Sequence, residues 1–265
     1  MKIDLRRNPN NQERTYEQIL GVRFFVGNAA QAVENFLRKG GYIAVPASTA
    51  LIKLSHDEDY GTALRKADLV LPDSGLLVGL WRTIGGRKLW KISGLAYLKC
   101  LLDRDDVWSG THSFWVVPSE SAKIKAIQWL TEKKLEIKPE NFYVAERAGG
   151  PGEYYPILVE IEKQQPGHVV IALGGGTQEK LGLYLRESLL CQPAIHCVGA
   201  ALGFLSGYEH RIPEWAERFY LGWLLRLVQQ PRMLFPRLGI ACVVAWMVIK
   251  YRSESPLIKA RWSDV

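Results

Sequence analysis

The sequence predicts an α/β fold, a mostly parallel sheet with helices on both faces, followed by a C-terminal helical appendage. Two observations carry that prediction. Between residues 21 and 200, short apolar, β-branched runs alternate with segments of helical periodicity, the pattern of strands covered on both faces by crossover helices. After Gly207 the alternation stops, and a basic, tryptophan-rich segment with helical spacing follows. The division places a core over residues 1–207 and an appendage over 208–265.

Taken in order, Asn28 and Gly40 bracket a helix from Ala29 to Lys39 as N-cap and C′ residues. Tyr42 to Val45 reads as a strand leading through Pro46 and Ser48 into a helical stretch, Thr49 to Leu54. Asp68 to Leu71 leads through Pro72 and Asp73 into Leu76 to Trp81, and Ser113 to Val117 leads through Pro118 and Ser119 into a helix with Ile124, Ile127 and Leu130 on one side. His168 to Leu173 leads through Gly174, Gly175 and Gly176 into a helix starting near Gln178, and Ile195 to Val198 ends at Gly199. Ligands of such sheets bind beyond the carboxyl ends of the strands, so the residues after each run should share one rim. In the appendage, Pro213 opens a helix with Trp215, Phe219 and Trp223 at four-residue spacing, and the apolar run Leu238 to Ile249 comes after a Gln-Gln-Pro break.

Composition bounds the function. With 265 residues, 48% hydrophobic and 23% charged, the chain can bury a real core, and wholesale disorder is excluded. Cys100, Cys191, Cys197 and Cys242 show neither CxxC nor zinc spacing, as expected of isolated thiols in a reducing compartment. The polar N-terminus carries no apolar signal core, and the longest apolar run, Leu238 to Ile249, falls short of the roughly 20 residues that span a bilayer. A cytoplasmic address follows as the expectation. The net charge is +7, and from Arg211 onward nine Lys and Arg stand against four acids. Apolar stretches between those arginines favour an anionic membrane surface over nucleic acid.

Several residues bear on chemistry. The Gly174, Gly175, Gly176 run between a strand and a helix suits either a phosphate-binding turn or a plain tight turn, and the spacing alone leaves both open. Asp73, behind a proline at the end of a strand, suits a general base, and equally a turn or helix cap. Asp57 with Asp59, and Asp103 with Asp105 and Asp106, resemble acidic pairs that hold divalent cations, but they follow helix-like stretches and read as solvated helix ends. His56, His112, His168, His196 and His210 are scattered, without zinc or triad spacing.

Read together, ADLVLPDSG, KISGL, ALGGGTQEK, CVGAALGFLSG, HRIPEW and LGWLLRLVQQPRMLFPR resemble the motifs of the WecG/TagA/CpsF glycosyltransferase family, in the family's order and over roughly residues 19–240. The resemblance implies an inverting, metal-independent transfer of a sugar from a nucleotide donor to a polyprenyl-diphosphate-linked acceptor, on a Rossmann-like core whose appendage completes the site and touches the membrane. It implies that Asp73 is the catalytic base and Gln178 the active-site glutamine, with Glu179, Ser48, Gly94, Gly174, Gly175 and Gly199 lining the substrate. Arg211, Arg226, Arg232 and Arg237 would then stabilise the departing diphosphate in place of a metal.

The sequence departs from the family pattern at several positions. Val45-Pro46-Ala47 stands where the family has Thr-Pro-Asn, Ala96 where it has an acid after the glycine of KISGL, and Gly203 where it has an aspartate. Gly176 replaces a proline and Gly222 a glutamate. Lost polar anchors point to a donor or acceptor other than the family's ManNAc-type examples. The expectation is a peripheral enzyme on the inner face of the cytoplasmic membrane, using a UDP-sugar and a lipid-linked saccharide in exopolysaccharide or cell-surface glycan assembly. It needs no metal or other cofactor and binds no nucleic acid, while self-association stays open. The alternative is a non-catalytic, membrane-associated scaffold of a polysaccharide synthesis complex.

Overall fold

The computed structural model describes residues 15–85, 89–108, 113–135, 137–146, 151–209 and 234–256. Its elements are β1 (Tyr16–Ile19), β2 (Val22–Phe25), α1 (Ala29–Lys39), β3 (Tyr42–Ala44), a 3-10 turn (Leu51–Ser55), α2 (Glu58–Lys66), β4 (Leu69–Val70) and α3 (Gly75–Thr83). Then come α4 (Gly94–Leu102), α5 (Asp105–Trp108), β5 (Ser113–Val117), α6 (Glu120–Glu132), β6 (Phe142–Val144), α7 (Pro151–Gln164), β7 (His168–Ile171), α8 (Thr177–Ser188), β8 (Ala194–Cys197), α9 (Ala201–Ser206) and α10 (Leu234–Tyr251).

One eight-stranded sheet runs β1-β2-β4-β3-β8-β7-β5-β6. Only the β1–β2 hairpin is antiparallel; every other neighbouring pair is parallel. The parallel strands are short and apolar because both faces are covered: β5 and β7 are buried at every residue. On one face α2, α3, α7, α8 and α10 close a core around Phe24, Tyr42, Leu64, Leu181 and Met247. On the other, α1, α4, α6 and α9 close a second core around Phe36, Tyr97, Leu98 and Trp115.

The expected α1 is confirmed, including its caps. The Asn28 side chain accepts from the Gln31 N–H, Gln31 returns the bond, and Gly40 ends the helix at φ 70°. The stripe expected on α6 is rotated. Ile124 is 60% exposed, and Ala122, Ala126 and Leu130 face the sheet instead, because a four-residue step keeps one face while a two-residue step crosses the helix. The stretch after Ser48 is a short 3-10 turn rather than an α-helix.

Neighbouring strands leave toward opposite faces at several places in the sheet. β3 and β7 leave toward the first face while β8, which lies between them, leaves toward the second through α9, and β5, on the other side of β7, also leaves toward the second. Strand neighbours whose connections diverge in this way open a ligand-sized gap at their carboxyl ends.

Candidate active site

The rim is assembled from the turns that follow β4, β3, β8 and β7. Pro72 stiffens the exit from β4, and the Asp73 N–H donates to the Leu71 carbonyl at 3.0 Å. The next residue, Ser74, is 2% exposed. Its hydroxyl caps α3 by accepting from the Leu77 N–H at 3.0 Å and lies 2.6 Å from the Ser48 hydroxyl. Ser48 is thus drawn to the shoulder of Asp73, joining the turns after β3 and β4. The Ile92 N–H donates to the Pro72 carbonyl at 3.1 Å, so the segment before α4 runs alongside. Ser93 caps α4 through the Ala96 N–H at 3.1 Å. At Gly94 a Cβ would stand 2.9 Å from the Val198 carbonyl oxygen and 3.3 Å from a Val45 methyl. Glycine there lets α4 start against the ends of β3 and β8.

Gln178 and Glu179 are buried, at 1% and 0% exposure. The Gln178 amide oxygen accepts from the Gly199 N–H at 2.7 Å and its NH2 group donates to Glu179 at 3.1 Å. The other Glu179 oxygen accepts from the Gly176 N–H. Gly199 lies in the left-handed region at φ 61°, where a non-glycine residue is strained. These two side chains therefore tie the turn after β7 to the turn after β8, and the anion that caps the first turn of α8 is the protein's own Glu179 carboxylate. Burial pushes the Glu179 carboxyl above its ordinary range; the Gly176 N–H, Gln178 and the Lys53 ammonium oppose the rise.

Beyond β5, β7 and β8 lies a pocket lined by Pro118, Ala172, Gly199, Gly203, Tyr208 and Glu209, among others. A Cβ on Gly203 would come 2.7 Å from Glu209 Cγ. Glu209 thus brings a carboxylate-bearing side chain to the place where the resembled family has its aspartate. The Ser119 hydroxyl donates to the Tyr208 hydroxyl at 3.2 Å at the same mouth.

Neither Lys53 nor Glu209 could be picked from the sequence, because each meets its loop only through the fold. The same holds for a buried chain on the second face. Tyr97 Oη lies 2.9 Å from His196 Nδ1, and His196 Nε2 lies 3.1 Å from His168 Nδ1. Burial holds His168 down to about 4 and His196 well below its ordinary value, so both are neutral near pH 7. Among the described residues no three His, Cys, Asp or Glu gather where they could hold a metal ion. Asp57 caps α2 and pairs with Lys180 at 2.7 Å, and Asp103 closes α4.

The arginine series is only partly in view. Arg211, Arg226 and Arg232, like the Trp215, Phe219 and Trp223 helix, lie outside the described residues, and Arg237 is described only as backbone in the first turn of α10. Through Val244, Met247 and Val248 that helix joins the first core. No described helix is long and apolar enough to cross a membrane.

Comparison with known proteins agrees with the motifs. Residues 17–256 match the Glycosyl transferase WecG/TagA/CpsF family. A relative from Bacillus spizizenii, N-acetylglucosaminyldiphosphoundecaprenol N-acetyl-beta-D-mannosaminyltransferase, is 25% identical over 197 residues, 73% of each chain.

Proposed function

The chain belongs to the WecG/TagA/CpsF glycosyltransferase family, and from that premise we propose that it transfers a sugar, with inversion, from a UDP-sugar to a polyprenyl-diphosphate-linked saccharide in exopolysaccharide or cell-surface glycan assembly. The observation that carries the reading is the seating of Asp73. It sits at the carboxyl end of β4, between the Ser74 cap of α3 and the segment that enters α4. Asp73 draws the proton from the acceptor hydroxyl as that oxygen attacks the anomeric carbon; the bond from that carbon to the diphosphate breaks, and the nucleoside diphosphate leaves. To do so its carboxylate must come within about 3 Å of the hydroxyl in the bound complex.

Charge on the departing diphosphate needs stabilising. In the proposed transfer this falls to Arg211, Arg226, Arg232 and Arg237, helped by the amino ends of α3 and α4, which start on the same rim. No metal is required in this scheme. The acceptor is assigned by analogy with the relative's printed substrate. The pocket beside Glu209 suits sugar hydroxyls, since a carboxylate accepts hydrogen bonds that the missing family aspartate would otherwise take.

The inner face of the cytoplasmic membrane is the proposed location. On α10, Leu238, Val243, Trp246 and Ile249 are 39 to 55% exposed, and the Lys250 ammonium lies 4.6 Å from the centre of the Trp246 ring. An apolar stripe edged by cations suits an anionic lipid surface.

The test is a screen of UDP-sugars against a short-chain prenyl-diphosphate GlcNAc acceptor, with a chelator present and the product linkage read by NMR. Transfer with inverted anomeric configuration supports the proposal. No product with any donor, in the presence of vesicles, would favour the scaffold alternative.

A further inference from the structure

We propose that Lys53 is a positioning residue: seated on the turn after β7, its ammonium keeps the buried Glu179 as a carboxylate and thereby holds Gln178 and Gly199 in place on the rim. The lysine ammonium donates to the Gly175 carbonyl at 2.9 Å. A Cβ on Gly176 would stand 2.2 Å from Lys53 Nζ and 3.0 Å from its Cδ. Glycine at 176, where the resembled family has proline, is therefore what admits the lysine stem. Gly176 also has φ 98°, which a proline ring cannot adopt.

The charge of Lys53 is not spent on a direct partner among the described residues. Lys180, the neighbouring cation, is engaged by Asp57 at 2.7 Å. The groups around Glu179 are Lys53, the amide of Gln178, Tyr42, Tyr60 and Cys197, with the Asp57–Lys180 pair beyond. Tyr42, Tyr60 and Cys197 are held neutral by burial. Lys53 is thus the cation of this cluster without a close ion-pair partner among the described residues, and its charge acts on Glu179 and on Asp57.

Both Glu179 oxygens accept hydrogen bonds, one from the Gly176 N–H and one from the Gln178 NH2 group. Two donors aimed at the carboxyl oxygens, with an ammonium on the same turn, favour the ionised form. With its NH2 group committed to Glu179, the Gln178 amide presents its oxygen to the Gly199 N–H at 2.7 Å. Protonating Glu179 removes the reason for that orientation, and the left-handed turn at Gly199 loses its anchor. The link from Lys53 to Gly199 is electrostatic at its first step and hydrogen-bonded afterwards.

The test compares wild type, Lys53→Met, Lys53→Arg, Glu179→Gln and the Lys53→Met/Glu179→Gln double variant by thermal melts of the whole protein across pH. The folded Glu179 carboxyl lies above its ordinary value of 4.5. Its ionisation therefore costs stability, a cost absent at low pH that appears as pH rises through the folded value. Removing Lys53 enlarges that cost. The expected result is a melting gap between wild type and Lys53→Met that opens as pH rises, shrinks at low pH and in the Glu179→Gln background to the pH-independent remainder left by the lost Gly175 bond, and is largely reversed by Lys53→Arg. A gap that is constant with pH and persists undiminished beside Glu179→Gln would make Lys53 a plain strut and overturn the inference.

The activity readout rests on the proposed function. There the acid limb of kcat/KM should move to higher pH in Lys53→Met, with kcat falling more than KM rises. An unmoved limb in an active variant contradicts the positioning role. The expected melting gap in a protein that transfers no sugar would leave the charge coupling standing and refute the transferase reading instead.

Discussion

Asp73 was legible in the sequence because a proline and a strand end fix where its backbone goes, and both are local signals. Its neighbours were not. Ser74 serves α3 and Ser48 at once, and Ser74→Ala should cost about 1 kcal/mol as a lost cap, read as a lower melting temperature, with a further loss of transfer because Ser48 is released. Gly94→Ala is predicted to be worse. Its Cβ would meet the Val198 carbonyl, a backbone atom that cannot swing aside, so overpacking should cost about 1–3 kcal/mol and spread the rim. The glycine motif left a phosphate turn and a tight turn equally open, because sequence does not say where a neighbouring carboxylate will go. Glu179 takes the Gly176 N–H, which favours the tight turn. The two buried histidines add a pH dependence. Their folded values are depressed, so the stability they contribute is present above 6.5 and is lost as pH falls toward about 4 for His168. Urea midpoints measured down that range should drop, and less so in His168→Gln.

Among the elements, the alternation of apolar runs with helical periods made β3, β4, β5, β7 and β8 readable, along with α1 and α8. The β1–β2 hairpin and β6 escaped because their strands mix exposed or half-buried positions with buried ones and so give no continuous apolar run. The hairpin turns out to anchor the segment that follows α10. Leu20 and Gly21 donate backbone N–H groups to the Arg252 and Ser253 carbonyls at 2.7 and 3.1 Å, and α10 packs on α3 and the 3-10 turn. The run Leu238 to Ile249 forms a helix with one buried and one exposed face. Val244, Met247 and Val248 are fully buried while Val243, Trp246 and Ile249 face outward. Met247→Ala should therefore cost about 2–5 kcal/mol, and hydrogen exchange at the Leu20 and Gly21 amides should quicken with it. Trp246→Ala, on the outer face, should leave the melting temperature nearly unchanged and weaken sedimentation with anionic vesicles.

At the scale of the molecule, the sheet order could not be read from the chain, because strand adjacency depends on which crossovers pack and not on any local pattern. Yet that order creates the crevices, by setting β8 between β3 and β7, and β7 beside β5, with diverging exits. The rim then gathers Asp73, Ser48, Gly94, Gly199 and the glycine turn from separate stretches of chain. Excess positive charge after Arg211 makes vesicle binding salt-sensitive in this account. The central claim is that one aspartate at the end of β4 activates the acceptor hydroxyl. It is tested most directly by initial rates of sugar transfer to a lipid-linked acceptor by wild type and Asp73→Asn at saturating donor. The account predicts a fall of roughly 100-fold or more in kcat with donor affinity little changed and the melting temperature preserved; an Asp73→Asn protein that turns over at the wild-type rate would contradict it.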